Sequence, residues 1–496
     1  MVRYLPFLPG LAADAGLLAY GAGLLFFRVG EIVPLLVRGH PLHCLTAAVA
    51  LAGGGLWLRS VPGLAGRSGR PSGGDDGGSG GGGSGGGRGV RRLLAAAAYA
   101  ALVRALDGGA NLAPPSPDAV RSGEGGGRYR RVRTAVVTGA NSGVGYEAAR
   151  ALAVRYGATV VLACRSEARC SAAADRINAE VEGAAGGGAG EGGRAVPRRL
   201  DLASFESVRA FAGGLREEGI RVDTLFNNAG YAPKKGLPVN DLGLEPSFAA
   251  MHLSHHLLAE LLLEDRAGDG DGDGDGDDGA AGGRMRVVAT SSATHHMCAL
   301  PFAILPRAAL DWLAERDHLA WRPGCVDEEF LARGMASPAD GAAYFHAKVA
   351  NVMHAFELPR RHGGDGDGDG DGGATAVAID LGWVGTAIQP WMAGPVSPTS
   401  LGWMRSAEVG VTPVLNAMLR TDRELLDMVA GGGGGGRTWA EGGGIAMDAL
   451  GQAMEPFSYP WWTERGAGGG DTGRGRMRDL SEKLWEVSEA KTGGGG

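Results

Sequence analysis

The sequence has little cysteine, and its five cysteines include no CxxC pair. We therefore expect reduced thiols rather than a disulfide framework or a cysteine-based zinc site. No basic stripe with interleaved aromatic residues is present, which argues against nucleic acid as a partner. The 90 glycines follow no three-residue period, so the chain is not collagen-like. Because 44% of the residues are hydrophobic, wholesale disorder is excluded as well.

Glycine is instead concentrated in low-complexity runs. Five runs hold 40 of the 90 glycines within 61 residues: 73–89, 183–193, 268–283, 363–373 and 431–436. Two of them are Asp-Gly tracts with ten aspartates, and without these the formal charge of −7 becomes +3. The net acidity therefore says little about partners. The sequence describes a folded protein interrupted by low-complexity insertions.

The Asp-Gly tracts resemble the start of an EF-hand calcium loop, but they do not complete one. The bidentate glutamate belongs at the twelfth position of such a loop. Counted from Asp269 that position is Ala280, and counted from Asp365 it is Ala376. We therefore expect no metal site.

The amino-terminal region is strongly apolar. Leu11–Phe27 and Leu42–Leu58 each reach the low end of the ~17–25 residues that cross a bilayer. Residues 1–60 are predicted to be a membrane anchor, with the endoplasmic reticulum or an organelle membrane as the expected location. A cleaved targeting segment and a soluble helical cap remain alternatives. Residues 61–128 combine a Gly-rich linker with a short helix at Arg91–Leu106.

From Tyr129 onward, apolar β-rich runs alternate with helical ones. Predicted strands are Arg133–Thr138, Thr159–Ala163, Ala195–Leu200, Thr224–Asn227, Arg286–Ser291 and Thr375–Ile379. Predicted helices are Val144–Arg155, Glu167–Val181, Phe205–Glu218, Phe248–Asp265 and Ala343–Arg360. Nearly continuous apolar strands alternating with helices indicate an α/β fold, a Rossmann-type doubly wound parallel sheet. We assign residues 129–390 to this domain and 391–496 to a carboxyl-terminal extension.

A glycine-rich turn follows the first strand and opens the first helix of this domain. Glycines let the backbone approach a pyrophosphate, and the helix contributes free N–H groups and the positive end of its dipole. The candidate cofactor-binding residues of this turn are Gly139, Asn141, Ser142, Gly143, Val144 and Gly145. Arg165 follows the second strand, where an acidic residue would bind the ribose 2′-hydroxyl of NAD. Arginine suits the 2′-phosphate of NADP instead, so we predict NADP(H) as the cofactor.

Several motifs in order resemble the short-chain dehydrogenase/reductase family over residues 130–390. They are TGANSGVG, LACR, Asp201-Leu202, Asn227-Asn228-Ala229-Gly230, Ser291-Ser292 and Tyr344-Phe345-His346-Ala347-Lys348. AYFHAKVANVMHAFEL and LSEKLWEVSEA look like its retinol dehydrogenase-like branch. The resemblance implies that Asp201 contacts the adenine and that Asn228 supports the cofactor site. It adds Leu202, Ala229, Gly230 and Thr386 to the cofactor-binding set, with Thr386 at the nicotinamide amide.

The same resemblance implies that Ser292, Tyr344 and Lys348 form the catalytic group. Tyr344 and Lys348 are four residues apart, so a helix places them on one face. An ammonium beside a phenol stabilises the phenolate, which lets tyrosine exchange a proton with a carbonyl or alcohol oxygen. The serine hydroxyl would polarise the substrate oxygen, and both Tyr344 and Lys348 would also contact the cofactor.

Two departures from the family pattern concern the site. Met251 stands where the branch has a catalytic asparagine that helps to hold a water, and a thioether cannot replace the amide. The neighbouring His252 and His255 are expected to be structural rather than catalytic. Leu381-Gly382 stands where the family has Pro-Gly, which puts the rigidity of that loop in doubt.

The predicted function is reversible carbonyl–alcohol conversion on a hydrophobic, retinoid-, sterol- or lipid-aldehyde-like molecule, with NADP(H). The stretch between Ser292 and Tyr344, with Trp312 and Trp321, and the segment 391–462 are expected to wall the substrate pocket, although core packing is the alternative. A protochlorophyllide reductase-like photoenzyme and a catalytically weakened NADP-binding regulatory module remain alternatives. The sequence does not predict the oligomeric state.

Overall fold

A computed structural model describes residues 113–122, 127–184, 193–231, 244–268, 284–292, 342–362, 373–382, 384–386, 405–430, 445–447 and 472–493. These residues all belong to one compact unit, which spans 111–397 and 405–496. The predicted anchor 1–60, the helix Arg91–Leu106 and the stretch 293–341 lie outside the described residues. Within the described part of the chain, no helix is long and apolar enough to span a membrane.

The secondary structure follows the predicted alternation of strands and helices. The strands are β1 (Thr134–Thr138), β2 (Thr159–Cys164), β3 (Arg194–Arg199), β4 (Thr224–Asn227), β5 (Met285–Thr290), β6 (Ala374–Ile379) and β7 (Ile445–Met447). The helices are α1 (Pro117–Ser122), α2 (Gly143–Tyr156), α3 (Glu167–Ala184), α4 (Phe205–Glu217), α5 (246–268), α6 (Ala342–His362), α7 (Ala407–Gly410), α8 (Thr412–Leu419), α9 (Asp422–Ala430) and α10 (Thr472–Thr492). Helix α5 consists of three consecutive segments: Pro246–Phe248, a π-helical turn at Ala249–Leu253, and Ser254–Gly268.

The strands form one parallel sheet in the order β3-β2-β1-β4-β5-β6-β7. Every residue of β4 and β5 is buried, as expected for central strands covered on both faces. The order confirms the Rossmann-type doubly wound sheet. It also places the reversal of strand order between β1 and β4, where such sheets open a crevice at the carboxyl ends of their strands.

Alternating side chains of β1 point into two separate cores. Ala135 and Val137 pack with α2, α3 and α8, whereas Val136 packs with α4, α5 and α6. This alternation follows from the two-residue period of a strand. Residues such as Leu152 and Phe226 have no exposed surface, so the sheet is a rigid support for the loops at its carboxyl edge.

The described parts of the carboxyl-terminal extension contribute core packing. β7 pairs with β6 through Ile379 and Met447, and α8 is buried along its length. Helix α10 places Leu484 and Trp485 against α5 and α6. The domain boundary at 390 stays a prediction, and these segments join the same layers as the residues before it.

Cys164 and Cys170 correct one expectation. All five cysteines are expected from the sequence to be reduced thiols, but these two residues form a disulfide with a Cα–Cα distance of 5.8 Å. Cys164 ends β2 and Cys170 lies in the first turns of α3, which folds back over the strand. The close approach follows from this reversal of direction, which cysteine spacing alone does not predict.

Candidate active site

Most of the predicted cofactor residues lie at the carboxyl ends of β1, β2, β3 and β4, while Thr386 follows β6 and Tyr344 and Lys348 lie on α6. The turn after β1 is tightly packed against the segment after β4. Gly139 adopts a φ of 68°, and a Cβ there would lie 3.1 Å from Cα of Ala229. At Gly145 a Cβ would lie 2.5 Å from Asn228 Nδ2 and 2.7 Å from the Gly139 carbonyl oxygen. The turn therefore has the close backbone approach that a pyrophosphate site requires.

Helix α2 begins directly after this turn, and its amino terminus lacks a side-chain cap. Ser142 is the N-cap residue with extended backbone, and its hydroxyl makes no capping hydrogen bond. The first N–H groups of a helix have no intrahelical partner. At Gly143, Val144 and Gly145 they are the groups that would bind a phosphate oxygen. Asn141 completes the turn between β1 and α2.

Thr138 fixes the Asn228–Gly230 segment against the end of β1. The N–H groups of Asn228 and Ala229 each donate to Thr138 Oγ1 at 3.0 Å, and Asn228 Nδ2 donates to the Thr138 carbonyl at 2.9 Å. These bonds hold the two strand ends in a fixed relation. Gly230 then lies beside Met251, whose Sδ is 3.2 Å from the position of a Cβ on Gly230.

His255 extends this set of bonds into α5. Its Nδ1 lies 3.1 Å from the Met251 carbonyl, which can only accept, so Nδ1 carries the proton. The Thr138 hydroxyl therefore donates to His255 Nε2, 3.0 Å away, and not to the Phe226 carbonyl, 3.2 Å away. Burial lowers the pKa of His255 to about 4, so the ring is neutral at pH 7. The structural role expected of His255 is thus a link between the glycine turn and the π-helical turn.

The residues predicted to bind the adenosine part of the cofactor lie at the ends of β2 and β3. Arg165 is exposed, whereas Asp201 is half-buried and its Oδ1 accepts from Ala203 N–H at 3.1 Å. Leu202 packs against the second core. Burial raises the pKa of Tyr231, the Ser247 side chain lowers it, and the charges of Arg165 and Asp201 also act on this phenol. Sequence reasoning missed Tyr231, although it directly follows the Asn-Asn-Ala-Gly motif.

Ser292, Tyr344 and Lys348 come together beyond the end of β5. Ser292 hydrogen-bonds to the Tyr344 side chain, and Lys348 Nζ lies 5.4 Å from the centre of the Tyr344 ring. Helix α6 supplies both Tyr344 and Lys348 from one face, as predicted. The Lys348 ammonium donates to the Thr290 carbonyl at 2.9 Å.

Burial dominates the titration of this group. It raises the pKa of Tyr344 to about 12, against the lowering effect of the Ser292 hydrogen bond. It lowers the pKa of Lys348 to about 8, against the raising effect of Asp380. From the sequence, the Lys348 ammonium is expected to favour the phenolate of Tyr344. In the structure, desolvation of the phenol is the stronger effect, so Tyr344 is protonated at neutral pH.

The loop after β6 brings Thr386 to the glycine turn. Thr386 Cγ2 lies 3.3 Å from the position of a Cβ on Gly143. Leu381-Gly382, whose rigidity the sequence left in doubt, is held by a turn in which Gly382 N–H donates to Asp380 Oδ1 at 2.9 Å. Leu381 packs against the first core. A side-chain hydrogen bond therefore restrains the loop in place of a proline ring.

Met251 is 1% exposed and lies in the π-helical turn of α5. Its thioether packs against Gly230, and only its backbone carbonyl takes part in the polar contacts described above. The turn changes the helical phase near the catalytic group, and π-helical turns are frequent at functional sites.

A family model described as short chain dehydrogenase matches residues 133–256. Human retinol dehydrogenase 13 is 33% identical over 301 residues, which cover 60% of this chain and 74% of that protein. The chain belongs to the short-chain dehydrogenase family. Its similarity to several retinol dehydrogenases puts it in the retinol dehydrogenase-like branch of these oxidoreductases.

Other similarities of this short-chain dehydrogenase are shorter or more distant. Mouse retinol dehydrogenase 14 is 44% identical over 132 residues, and the chain spans only 39% of that protein's length. A solved alcohol dehydrogenase of Thermococcus sibiricus, in complex with 5-hydroxy-NADP, is similar over 57% of this chain and 88% of that chain. Its identity is 18% and its TM-score 0.36.

Short-chain dehydrogenases use a nicotinamide dinucleotide, NAD(P)(H), and the residues of this chain fit one. The Gly139–Gly145 turn leaves no room for a side chain at its narrowest point, and the start of α2 is uncapped. A pyrophosphate accepts hydrogen bonds and carries negative charge, which suits those free N–H groups.

Proposed function

We propose that this short-chain dehydrogenase interconverts a carbonyl and an alcohol on a hydrophobic small molecule with NADP(H). The observation that supports this most directly is the Ser292–Tyr344–Lys348 group, in which Lys348 is buried and the two hydroxyl residues are half-buried, next to a glycine turn that fits a dinucleotide. A hydroxyl pair and an ammonium are the groups that this chemistry needs.

Each side chain has a role that follows from its surroundings. Tyr344 is protonated at neutral pH, so in the reducing direction its hydroxyl donates the proton to the substrate oxygen. Ser292, already bonded to that hydroxyl, donates to the same oxygen and orients it. Lys348 places a positive charge near the phenol and stabilises the phenolate that proton transfer leaves behind. The bound nicotinamide supplies or accepts the hydride.

Arg165 supports NADP(H) rather than NAD(H). It directly follows β2 and is exposed, and its charge acts on the Tyr231 phenol. A guanidinium at this place pairs with a 2′-phosphate, which only NADP(H) carries.

A lipophilic substrate is supported by the names of the relatives and by the composition of the chain. Several curated relatives are named retinol dehydrogenases, whose substrate is an apolar alcohol. Residues 1–60 are apolar enough for the anchor that we propose, which would bring the enzyme to a membrane holding such molecules.

The test is a spectrophotometric assay of the full-length chain. NADPH absorbance is followed with retinoid, sterol and lipid aldehydes or ketones, and NADH is tested beside it. We expect turnover with NADPH and loss of about a thousandfold or more in Tyr344→Phe, because the phenol is the proton donor. Tyr129→Phe is the control, since that ring lies outside the site, against Arg420. Undiminished turnover in Tyr344→Phe would contradict the assignment.

The second candidate is an NADP-binding module without turnover. It is favoured by Met251, which is buried at the place of the branch's catalytic asparagine and offers no side-chain donor. Tight NADPH binding with no turnover across the whole panel would support it. Turnover that appears only in Met251→Asn would show that Met251 causes the lack of turnover in the wild type.

A further inference from the structure

Buried polar side chains connect the carboxyl-terminal helix α10 to the catalytic helix α6. Ser488 Oγ lies 3.2 Å from His252 Nε2, and the Asn351 side chain acts on the His252 ring, raising its pKa against the larger lowering effect of burial. Asn351 Nδ2 in turn donates to the Thr290 carbonyl at 3.0 Å. Four elements, α10, α5, α6 and β5, thus meet through one chain of contacts.

This chain of contacts reaches the catalytic group at the Thr290 carbonyl. The same oxygen accepts from Lys348 Nζ at 2.9 Å. A carbonyl has two lone pairs, so the Asn351 amide occupies one and leaves one direction for the ammonium. The backbone of Lys348 is held too, because Ser291 Oγ donates to its carbonyl at 3.0 Å.

All residues in this chain of contacts are buried. Ser488 has no exposed surface, and His252, Asn351 and Lys348 are at most 4% exposed. Burial lowers the pKa of His252 to about 3, so the ring is neutral and has one donor and one acceptor nitrogen. A buried donor or acceptor left unpaired is costly, so each bond restrains the next.

We propose that Asn351 and His252, braced by Ser488, are positioning residues that fix the Lys348 ammonium through the shared Thr290 carbonyl. The proposal rests on the proposed function, since it assumes that Lys348 acts in catalysis. A lysine side chain has four rotatable bonds, and its ammonium must lie at one place beside Tyr344. The other charged or titratable groups that act on this ammonium are Asp380 and His255. Helix α10 is thereby a part of the active site's support rather than an appendage.

The experiment uses the full-length chain and two readouts. The first is kcat and KM with NADPH. We expect Asn351→Leu, which removes the amide at similar volume, to lower kcat about tenfold, and Ser488→Ala about threefold, with KM within about twofold. The double variant should have the same kcat as Asn351→Leu alone, because both changes break the same chain of contacts.

The second readout is the mobility of the Lys348 side chain in cofactor-free protein. The chain has only five lysines, so selective ¹³C labelling at Cε gives few signals, and Lys348→Met identifies one of them. We expect the Cε order parameter to fall in Asn351→Leu and, less, in Ser488→Ala. The order parameter should stay closer to the wild-type value in His252→Gln, which keeps a donor and an acceptor, than in His252→Leu.

Ser481→Ala is the matched control. Ser481 lies on the same helix and is 1% exposed, and its hydroxyl has no hydrogen-bond partner among the described residues. We expect wild-type values of kcat and of the order parameter. Equal effects of Ser481→Ala and Ser488→Ala, or an unchanged order parameter in Asn351→Leu, would overturn the positioning role. Absence of turnover in the wild type, with the order parameter changing as described, would instead count against the proposed function alone.

Discussion

Gly145 shows how one residue limits the cofactor turn. A methyl group there would meet the Asn228 amide and, at 2.7 Å, the backbone oxygen of Gly139. The amide could turn aside only by giving up its bond to the Thr138 carbonyl. The backbone oxygen can move only with the whole turn.

We therefore predict that Gly145→Ala weakens NADPH binding by about tenfold or more, because the turn must open to admit the methyl group. Fluorescence titration of NADPH measures the dissociation constant. Gly214→Ala in α4 is the control, since a Cβ there meets nothing within 4 Å. That change should leave NADPH binding intact and raise the free energy of unfolding by up to ~1 kcal/mol. Equal NADPH affinity in both variants would contradict the prediction.

At the scale of elements, α5, α6 and α10 enclose a cluster of buried imidazoles. The His256 ring packs edge-on against Trp485 at 4.7 Å and against His354 at 5.2 Å, with His252 at 6.4 Å. Neither nitrogen of His256 has a hydrogen-bond partner within the described residues. Burial, reinforced by His252 and His362, lowers its pKa to about 3.

This cluster makes stability depend on pH. An unfolded chain binds a proton at each histidine below about pH 6.5, whereas the folded ring at His256 stays neutral down to about pH 3. Stability is thus complete above pH 6.5 and is lost as the pH falls, by up to ~1.4 kcal/mol per pH unit for each such ring.

We predict that His256→Phe flattens this loss. The phenyl ring keeps the contact with Trp485 but takes up no proton in the unfolded state. Urea unfolding at pH 7.5 and 5.5 should show a drop smaller than in wild type by about 1 kcal/mol. Because both proteins are compared with themselves at pH 7.5, a packing difference cancels. Equal drops in both proteins would refute the role of His256.

Elements were predictable to different degrees. The strands and helices between residues 133 and 379 are where their apolar patterns predict them, within three residues at each end. β7 was missed because three residues after a glycine-rich stretch give no periodic signal. The π-helical turn in α5 was missed because apolar spacing does not distinguish it from an α-helix.

For the whole molecule, the glycine runs from residue 183 onward lie at the connections from helices to strands. Runs 183–193, 268–283 and 363–373 fall between α3 and β3, α5 and β5, and α6 and β6. In a parallel sheet these connections reach the amino ends of the strands, opposite the cofactor. Long insertions there cost little, because closure entropy grows only with the logarithm of loop length.

We predict that replacing 269–283 with five residues leaves the enzyme intact. The free energy of unfolding should rise by at most ~1 kcal/mol, as expected for a threefold shorter loop. The value of kcat/KM should stay within about twofold of wild type, measured with the best substrate of the NADPH assay. Deleting Asn141 and Ser142 at the opposite edge is the contrasting change and should abolish NADPH binding. Loss of activity in the variant with the shortened loop would show that residues 269–283 are needed for function, which would contradict the prediction.

The sequence by itself determined the strand–helix alternation, the glycine turn and the Tyr344–Lys348 pair, because each depends on residues close together in the chain. Only the tertiary structure decided which distant groups meet. Ser488 reaches His252 across 236 positions, and Lys348 reaches the Thr290 carbonyl across 58. Packing of the helices on the sheet also made burial, rather than the ammonium, dominate the pKa of Tyr344. Periodicity and spacing report local geometry, whereas desolvation and long-range contacts exist only once the layers have closed.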